Sequence, residues 1–308
     1  MHVQFETVNE PKPGEAWKHS FERVWPSYKR WFLSEGEAAR TDLEASRGRL
    51  MHHMPELVGT YEKLCVLAGD DDLSSRFLSM VDPPKYLAGC TQLAWTGLEP
   101  ALIRNYDFSP HLIEGVIMRT DWLRPVIGVS EATWGLLDGM NADGLGVCLA
   151  FGGKKVVGKG FGIPLVVRYL LETCESVPAA CECLHGLPVH MAYSLTMIDA
   201  QSRHATVHVS PGAEPVITAE LTCTNHHTGV TWPEHAAESL SIERKAFLDA
   251  LVADRRQDRA ALVQQFLKPP LFNNHYEGTH GTLYTAVYDP QNGQLTMHWP
   301  SHQTTISL

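Results

Sequence analysis

The stretch Tyr86-Leu-Ala-Gly-Cys-Thr-Gln-Leu-Ala-Trp95 places a small thiol, Cys90, at the head of a strand-like run. A second strand-like run covers residues 101–106 and contains Arg104, with Asp107 at its end. A buried cysteine is more often an inert small hydrophobe than a nucleophile, so its neighbours decide its interpretation. A thiol on one strand with an arginine and an aspartate on the next predicts a nucleophilic site. In this site Cys90 attacks, and Arg104 and Asp107 position the thiol or its substrate.

The chain changes character at this stretch. Upstream of it, apolar residues recur at helical spacing, and Asp70-Asp-Asp72 can cap a helix. We expect helices over residues 15–34, 35–51, 54–67 and 73–81. Pro26 is expected to kink the first of them, and residues 1–14 are expected to be irregular. The N-terminal segment is therefore predicted to be helical.

Downstream of Pro84, short strand-like runs separated by turn signals accompany pairs of helices. The expected strands are 91–96, 101–106, 112–119, 125–130, 145–151, 191–199, 204–210, 214–223, 281–288 and 294–299. The expected helices are 163–174, 177–184, 241–255 and 258–266. This mixture predicts a layered α+β domain and not a regular βαβ array.

Composition excludes several classes of function. The chain has 308 residues and a net charge of −10, which argues against a nucleic-acid partner. No apolar run is long enough to span a membrane, and the N-terminus has no apolar export signal. Seven cysteines without framework spacing indicate reduced thiols and a cytoplasmic location. The run Gly152-Gly-Lys-Lys155 lacks the spacing of a phosphate-binding loop, and no cofactor or metal is expected.

Several short motifs follow the Gly89-Cys90 pair in a fixed order. They are Arg104-Asn-Tyr-Asp107-Phe, Asp138-Gly-Met-Asn141-Ala-Asp-Gly-Leu-Gly146, Thr222-Cys-Thr-Asn225-His, Ser241-Ile-Glu-Arg244 and Gly281-Thr-Leu-Tyr-Thr-Ala-Val-Tyr-Asp-Pro290. In this order and spacing they resemble the N-terminal-nucleophile (Ntn) hydrolases. The penicillin acyltransferase family (peptidase family C45, acyl-CoA:6-aminopenicillanate acyltransferase-like) is the most similar branch, and choloylglycine hydrolases are more distant. The resemblance covers residues 86–300.

This resemblance implies a four-layer αββα sandwich made as a precursor. Residues 1–89 would form a helical prosegment and residues 90–308 the catalytic domain. The precursor would cut itself between Gly89 and Cys90, with Gly89 allowing a strained turn there. Cys90 would then carry both the thiol and a free α-amine. Their ordinary pKa values, about 8.5 and about 8, allow nearly balanced proton transfer, so the amine can serve as general base.

The resemblance also implies roles for four other residues. Asp107 would accept hydrogen bonds from the nucleophile's thiol or amine, and Arg104 would neutralise that carboxylate. Because residues three apart on a strand face opposite sides, this pair requires a bend. Asn225 would donate from its amide to the oxyanion, and Arg244 corresponds to an arginine near the active site.

Three further positions are expected to line the substrate site. Thr91 and Gln92 are adjacent to the nucleophile. Phe151 stands where bile-salt hydrolases carry an asparagine beside the oxyanion, which argues against bile-salt hydrolysis and leaves a backbone N–H to share the oxyanion.

The leading hypothesis is a cysteine amidohydrolase or acyltransferase whose partner is a small linear amide or acyl thioester. A second hypothesis is an unprocessed family member that acts as a binding or scaffold protein, with the prosegment covering the site. A zinc hydrolase built from His226, His227, His275 and His280, or a papain-like Cys–His protease, lacks a fitting local signature. The sequence leaves open whether the chain forms a homo-oligomer.

Overall fold

Two β-sheets form the centre of the protein, which we describe from a computed structural model that covers residues 4–254, 256–274, 276 and 281–308. The larger sheet has the strand order β1-β4-β5-β6-β7-β8-β9-β10. Its strands are β1 (Glu6–Glu10), β4 (Val116–Asp121), β5 (Pro125–Glu131), β6 (Gly135–Asn141), β7 (Gly146–Phe151), β8 (Tyr193–Ile198), β9 (His204–Ser210) and β10 (Ala213–Thr218). All neighbours pair antiparallel except β1, which runs parallel to β4.

The smaller sheet has the order β11-β2-β3-β12-β13-β14 and is antiparallel throughout. Its strands are β2 (Gly89–Trp95), β3 (Ala101–Phe108), β11 (Thr222–Cys223), β12 (Gly281–Asp289), β13 (Gln294–Trp299) and β14 (His302–Ser307). Strands β2 and β3 face β7 and β8 across the space between the sheets. This face-to-face packing buries every residue of β3 and β7.

Helices cover the outer face of each sheet. The helices are α1 (Glu15–Phe32), α2 (Leu43–His53), α3 (Val58–Leu67), α4 (Asp72–Leu78), α5 (Ile163–Thr173), α6 (Val177–Leu184), α7 (Pro233–Glu238), α8 (Ser241–Ala253) and α9 (Arg259–Phe266). Helices α5 and α6 pack on the larger sheet, and α8 and α9 pack on β2, β3 and β11 of the smaller one. The expected four-layer αββα sandwich is therefore confirmed. Within the described residues, no helix is both long and apolar enough to cross a membrane.

The N-terminal segment shares the central core. Helices α1 to α4 confirm the expected helical character, and Pro26 lies inside α1. The fully buried Trp17 donates from Nε1 to the Thr133 carbonyl at 2.9 Å. The buried Asp82 carboxylate, just after α4, contacts Arg49 at 2.8 Å and accepts from the Gly160 amide at 2.8 Å. Helices and sheets are thus one continuous hydrophobic unit.

The structure differs from the sequence expectation in several elements. Residues 6–10 were expected to be irregular but form β1, because the parallel edge of β4 supplies hydrogen bonds that local sequence does not reveal. The expected strand 214–223 is two strands, β10 and β11, which belong to different sheets. Strands β6 and β14 and helix α7 were not predicted. The expected helix 241–255 ends at Ala253, and residue 255 lies outside the described residues.

Candidate active site

Strands β2 and β3 pair without interruption and so determine which side chains share a face. Cys90 stands opposite Tyr106, and Gln92 stands opposite Arg104. Since cross-strand partners point to the same side of a sheet, these side chains project between the two sheets. Asp107, which is opposite Gly89, belongs to the other face. The thiol and the Arg104 guanidinium are therefore brought together in the inter-sheet layer.

Cys90 is fully buried and held at three of its atoms. Its Sγ accepts a hydrogen bond from Arg104 Nη2 at 3.2 Å. Its amide N–H donates to Asn225 Oδ1 at 2.9 Å, and its carbonyl oxygen accepts from Arg244 Nη1 at 2.5 Å. Burial raises the pKa of the Cys90 thiol, and the Arg104 guanidinium offsets part of that rise.

The carboxylate that pairs with Arg104 is Asp138 on β6, not Asp107. Both Arg104 and Asp138 are fully buried, and Arg104 Nη1 forms an ion pair with Asp138 Oδ2. Two tyrosine hydroxyls, from Tyr284 at 2.6 Å and from Tyr288, also donate to Asp138. The expected Arg104–Asp107 pair was wrong because β3 has no bend against β2 to bring the two side chains to one face.

Asp107 lies instead beside the second arginine. Its Oδ2 is 3.8 Å from Arg244 Nη1, and its Oδ1 accepts from the Thr282 hydroxyl at 2.6 Å. The Asp107 charge counts among the causes that raise the pKa of Cys90, after burial. The carboxylate is therefore close to Cys90 and approaches it from the outer face of the sheet.

Asn225 and Arg244 link the loop after β11 to the first residues of β2. Asn225 Nδ2 donates to the carbonyls of Ala88 at 3.0 Å and Phe151 at 3.3 Å. Arg244 Nη2 donates to Asn225 Oδ1 at 2.8 Å. The loop is secured because the Asn225 amide N–H donates to the Ser241 hydroxyl at 2.8 Å. Ser241 begins α8, and Arg244 projects from the first turn of the same helix.

Gly89 lies in β2 and not in a strained turn as expected from the sequence. A Cβ at this position would stand 2.9 Å from the Cβ of Asp107. Glycine is therefore required by the close approach of the two strands at the bond before Cys90.

Of the three residues expected to line the substrate site, Thr91 and Gln92 are held by internal hydrogen bonds. The Thr91 hydroxyl accepts from Arg244 Nη1 at 2.6 Å, and Gln92 Oε1 accepts from the Thr196 hydroxyl at 2.8 Å. Phe151 packs its ring edge-to-face against His235 at 5.1 Å. The placement of Gln92 inside the inter-sheet core argues against contact with substrate.

A cavity of about 600 Å³ lies beside Gly89, the residue before Cys90. Its lining includes Leu87, Ala88, Gly89, Asp107 and Arg244. Across it stand Trp232 and His235, two residues that the sequence did not single out. Their presence on the unpredicted helix α7, or just before it, explains why periodicity alone did not indicate them.

The histidines considered for a zinc site have other partners where they are described. The ring of His226 contacts the Ser241 hydroxyl at 2.7 Å, and that of His227 contacts the Tyr193 carbonyl at 3.1 Å. His275 and His280 lie outside the described residues. Within the described part of the chain, no three His, Cys, Asp or Glu side chains are grouped so that they could hold a metal ion.

A second group of buried titratable residues joins α1 to the larger sheet. The Tyr28 hydroxyl lies 2.5 Å from Glu114 Oε1 and 2.6 Å from Glu131 Oε1. Both glutamates are buried and Tyr28 is half-buried. Burial together with the Glu114 carboxylate raises the pKa of Glu131 to about 8. Burial likewise raises the pKa of Glu114. This group was not indicated by the sequence, because its members are distant in the chain.

The raised pKa of Glu131 predicts a pH-dependent stability. Between pH 4.5 and 8 the folded chain keeps a proton that the unfolded chain releases, so the free energy of unfolding should fall as pH rises through this window. The fall attributable to Glu131 is on the order of 1.4 kcal/mol per pH unit at most. Glu131→Gln cannot ionise and should remove that part of the slope. Urea unfolding at pH 5 and pH 8 measures it, and parallel pH dependence in the two chains would contradict the assignment.

Solved structures to which this chain is similar have little sequence in common with it. A mutant conjugated bile acid hydrolase from Clostridium perfringens has a TM-score of 0.50 and 13% identity, covering 71% of this chain and 92% of its own. An N-acylethanolamine-hydrolyzing acid amidase orthologue from Caenorhabditis elegans has a TM-score of 0.47 and 14% identity, covering 66% and 93%. Penicillin V acylase from Agrobacterium tumefaciens has a TM-score of 0.42 and 12% identity, covering 71% and 76%. Curated protein sequences give no match.

A family comparison covers most of the chain. The family model described as acyl-coenzyme A:6-aminopenicillanic acid acyl-transferase matches residues 95–304. The match includes Arg104, Asp107, Asn225 and Arg244, and it begins downstream of Cys90. The chain therefore belongs to the acyl-coenzyme A:6-aminopenicillanic acid acyltransferase family of Ntn hydrolases.

Proposed function

We propose that this protein is a cysteine Ntn-type amidohydrolase or acyltransferase that acts on a linear amide or an acyl thioester through an acyl-Cys90 intermediate. The observation that carries the proposal is the convergence of Arg104, Asn225 and Arg244 on three different atoms of Cys90. A structural cysteine needs no such set of charged and polar partners. Membership of a family of amidohydrolases and acyltransferases supports the same activity.

We further propose that the protein is made as a precursor, with residues 1–89 as prosegment and residues 90–308 as catalytic domain. In self-cleavage the Cys90 thiol would attack the Gly89 carbonyl carbon. The C–N bond to Cys90 would break, a thioester would form and the proton would pass to the released α-amine. Water would then hydrolyse the thioester, leaving a carboxylate on Gly89 and restoring the thiol.

In turnover the α-amine of Cys90 would take the thiol proton as the thiol attacks the substrate carbonyl. The same proton would pass to the leaving amine or thiol. Water is the default acceptor of the acyl group, since transfer to an amine requires a site that excludes water. Arg104, which already contacts Sγ, would stabilise the thiolate, and Asn225 Oδ1, which already accepts from the Cys90 N–H, would hold the new α-amine together with Asp107.

The proposed role of Asn225 follows from what its amide contacts in the uncut chain. Nδ2 now donates to the Ala88 carbonyl, which is one residue before the bond to be cut. After cleavage, residues 86–89 are free to withdraw, and this donor becomes available to an oxyanion. An amide placed in advance in this way lowers the barrier because it needs no reorganisation during the reaction.

The intact mass of the purified chain tests the proposal. We expect two fragments, residues 1–89 and 90–308, whose masses sum to the 34.3 kDa chain plus one water. The smaller fragment should remain bound, because the helices before Cys90 share one core with the sheets and β1 is a strand of the larger sheet. A chain that stays whole and turns over no acyl amide or thioester would refute it.

Asn225→Asp provides a sharper test of the oxyanion role. The substitution keeps the shape and the Oδ1 acceptor but removes the Nδ2 donor. Removal of one such donor typically lowers the rate by about 10²–10³. We therefore expect kcat for an acyl amide, measured on the processed chain, to fall by that factor.

Asn141→Asp is the matched control for this substitution. Asn141 is equally buried, and its Nδ2 also donates to two carbonyls, those of Leu171 and Cys174. The two variants should lose comparable stability, while only the Asn225 variant should turn the acyl amide over slowly. An equal loss of turnover in both would show that the effect of Asn225→Asp is structural.

The observation that favours the alternative, an unprocessed binding or scaffold protein, is the firm packing of the N-terminal segment. No more than 1% of the surface of Trp17 or Phe32 is exposed to solvent. Residues of α1 also line the same cavity as residues of the linker before Cys90. Such packing is compatible with a prosegment that never leaves. The intact mass separates the two proposals, because only the enzyme requires the cut.

A further inference from the structure

A cavity of about 320 Å³ lies between helix α1 and the catalytic part of the chain, on the opposite side of the linker from the cavity beside Gly89. We call it the α1 cavity. Most of its wall is apolar, with Val24, Trp31, Phe77, Met80, Leu112 and Ile163 among the lining residues. At one point the wall is polar, where Tyr28, Glu114 and Glu131 meet. Its volume is at the lower end of the range for small-molecule sites.

The contacts among Tyr28, Glu114 and Glu131 determine how many protons the two carboxyl groups must hold. The Tyr28 hydroxyl has one hydrogen but stands within 2.6 Å of two carboxyl oxygens. Its oxygen already accepts from the Ala132 amide at 2.9 Å, so the hydroxyl hydrogen must go to one of the carboxyls. The other carboxyl must carry its own proton, or two oxygens would meet without one. The pair therefore holds at least one proton and has at most one negative charge.

Glu131 is the member of this pair that keeps an unused hydrogen-bonding atom. It is 5% exposed, it lines the α1 cavity, and its Oε2 has no hydrogen-bond partner among the residues that the structure describes. Glu114, by contrast, also accepts from the Thr133 amide at 2.6 Å. A buried polar atom without a partner is costly, and an atom of this kind in the wall of a cavity indicates a missing ligand group.

We propose that the α1 cavity binds a primary ammonium carried on a short apolar stem, with Glu131 as the group that recognises the ammonium. The apolar walls accept the stem, and the shared charge of Glu114 and Glu131 accepts the cation. The ammonium could belong to a substrate of the proposed reaction or to a free amine, and both have the same binding chemistry.

The charges around the pair leave room for such a cation. Arg23 of α1 also lines the cavity, but its guanidinium binds the Glu114 backbone carbonyl at 3.2 Å and not the carboxylate. Arg104 is paired with Asp138. The charges of Arg23 and Arg104 lower the pKa values of Glu114 and Glu131, but burial outweighs them and both pKa values stay raised. Burial lowers the pKa of His190, another lining residue, to about 4, so it adds no positive charge near neutral pH. Tyr86 and Tyr106, the nearby tyrosines, have pKa values raised well above the ordinary value by burial and stay neutral.

Binding of the cation should move a proton within the pair. Because burial and the Glu114 carboxylate raise the pKa of Glu131 to about 8, Glu131 is the protonated member at pH 7 before the ligand arrives. When the ammonium binds, Glu131 would give its proton to the Tyr28 oxygen while the Tyr28 hydroxyl gives its own to Glu114. Glu131 then carries the shared charge and forms a charge-assisted hydrogen bond with the ammonium, and no proton is released to the buffer.

Isothermal titration of the Cys90→Ala chain with n-pentylammonium tests the proposal without any need for catalysis. At pH 7, in two buffers of different ionisation enthalpy, we expect saturable binding with the same enthalpy in both, because no proton is released. We expect n-pentanol to bind about 10- to 100-fold more weakly, the factor that a charge-assisted hydrogen bond supplies. If the two molecules bound equally well, or if neither bound, the proposal would be overturned without any change to the residues of the cavity.

Glu131→Gln should remove the preference for the ammonium over the alcohol. Glu172→Gln is the matched control, since Glu172 is a buried carboxyl in the same domain that pairs with Arg168 outside the cavity. Ammonium binding unchanged by Glu131→Gln would also overturn the proposal.

A second arm distinguishes the two sources of the ammonium, and it alone rests on the proposed function. The processed wild-type chain is given hexanoyl- and 6-aminohexanoyl-p-nitroanilide. A preference for the aminoacyl compound in kcat/KM that Glu131→Gln removes would assign the ammonium to the substrate. Turnover without that preference, with binding of n-pentylammonium intact, would assign the cavity to a free amine. If neither compound is turned over, the titration still decides whether the cavity binds an ammonium.

Discussion

Cys90→Ala is expected to leave the chain at its full mass and to abolish turnover of acyl amides and thioesters. The substitution removes the one atom that would attack in both reactions, and it leaves Arg104 and Asn225 in place. Loss of a nucleophile lowers kcat by about 10⁴–10⁶ in enzymes that act through an acyl intermediate. Intact mass reports the first reaction, and release of a chromogenic amine reports the second.

Cys148→Ala is the matched control for this loss. Cys148 is also fully buried, lies on β7 in the same layer between the sheets, and bonds through Sγ to the Thr196 carbonyl at 3.6 Å. Its removal leaves a cavity of the same size, so it should lower stability without stopping the cut. If the Cys90→Ala chain were cut at the same bond, the cleavage would come from another protease and the precursor proposal would fail.

The sequence was sufficient to predict the parts of this site that depend on local pattern. The strands that carry Cys90 and Arg104 follow from short alternating runs, and the helices on either side follow from apolar spacing. The motifs around Asn225 and Arg244 indicated residues that the structure does bring to Cys90. In each case, the information lies within a few neighbouring residues.

What the sequence could not reveal is which distant residue completes each contact. Arg104 and Asp107 are three residues apart in the sequence. Without knowledge of the strand register, an ion pair between their side chains was a reasonable expectation. The uninterrupted pairing of β2 with β3 separates them and leaves Arg104 to Asp138, which is on the other sheet. The motif that begins at Asp138 was recognised, but nothing in it states that its first carboxylate faces an arginine.

Buried networks between elements are hidden for the same reason. Tyr28, Glu114 and Glu131 come from a helix, a loop and a strand, and each of them alone is an ordinary polar residue. Their low solvent exposure arises only when α1 packs on the larger sheet. Periodicity predicts that a helix has a buried face, but it does not predict which carboxylates that face will cover.

Asp138→Asn is expected to lower the free energy of unfolding by about 3–5 kcal/mol, the usual cost of removing one partner from a buried ion pair. Asp138 and Arg104 have no exposed surface, so water cannot replace the lost charge. Burial alone would lower the pKa of Arg104, but the Cys90 thiol, Tyr284 and Asp138 raise it, so the guanidinium stays charged. The asparagine amide would place a donor among donors from Arg104, Tyr284 and Tyr288.

Urea unfolding in the Cys90→Ala background measures this cost on a chain that stays in one piece. Asp199→Asn is the control, because Asp199 is equally buried but its partner Arg203 has 48% of its side chain exposed. Water can solvate Arg203 when its carboxylate is lost, so we expect a smaller cost of about 1–2 kcal/mol. If Asp138→Asn costs no more than Asp199→Asn, the Arg104 charge does not depend on Asp138. The two remaining hydrogen bonds of Arg104, to Tyr284 and to the Leu149 carbonyl, would then be sufficient to hold the guanidinium beside the thiol.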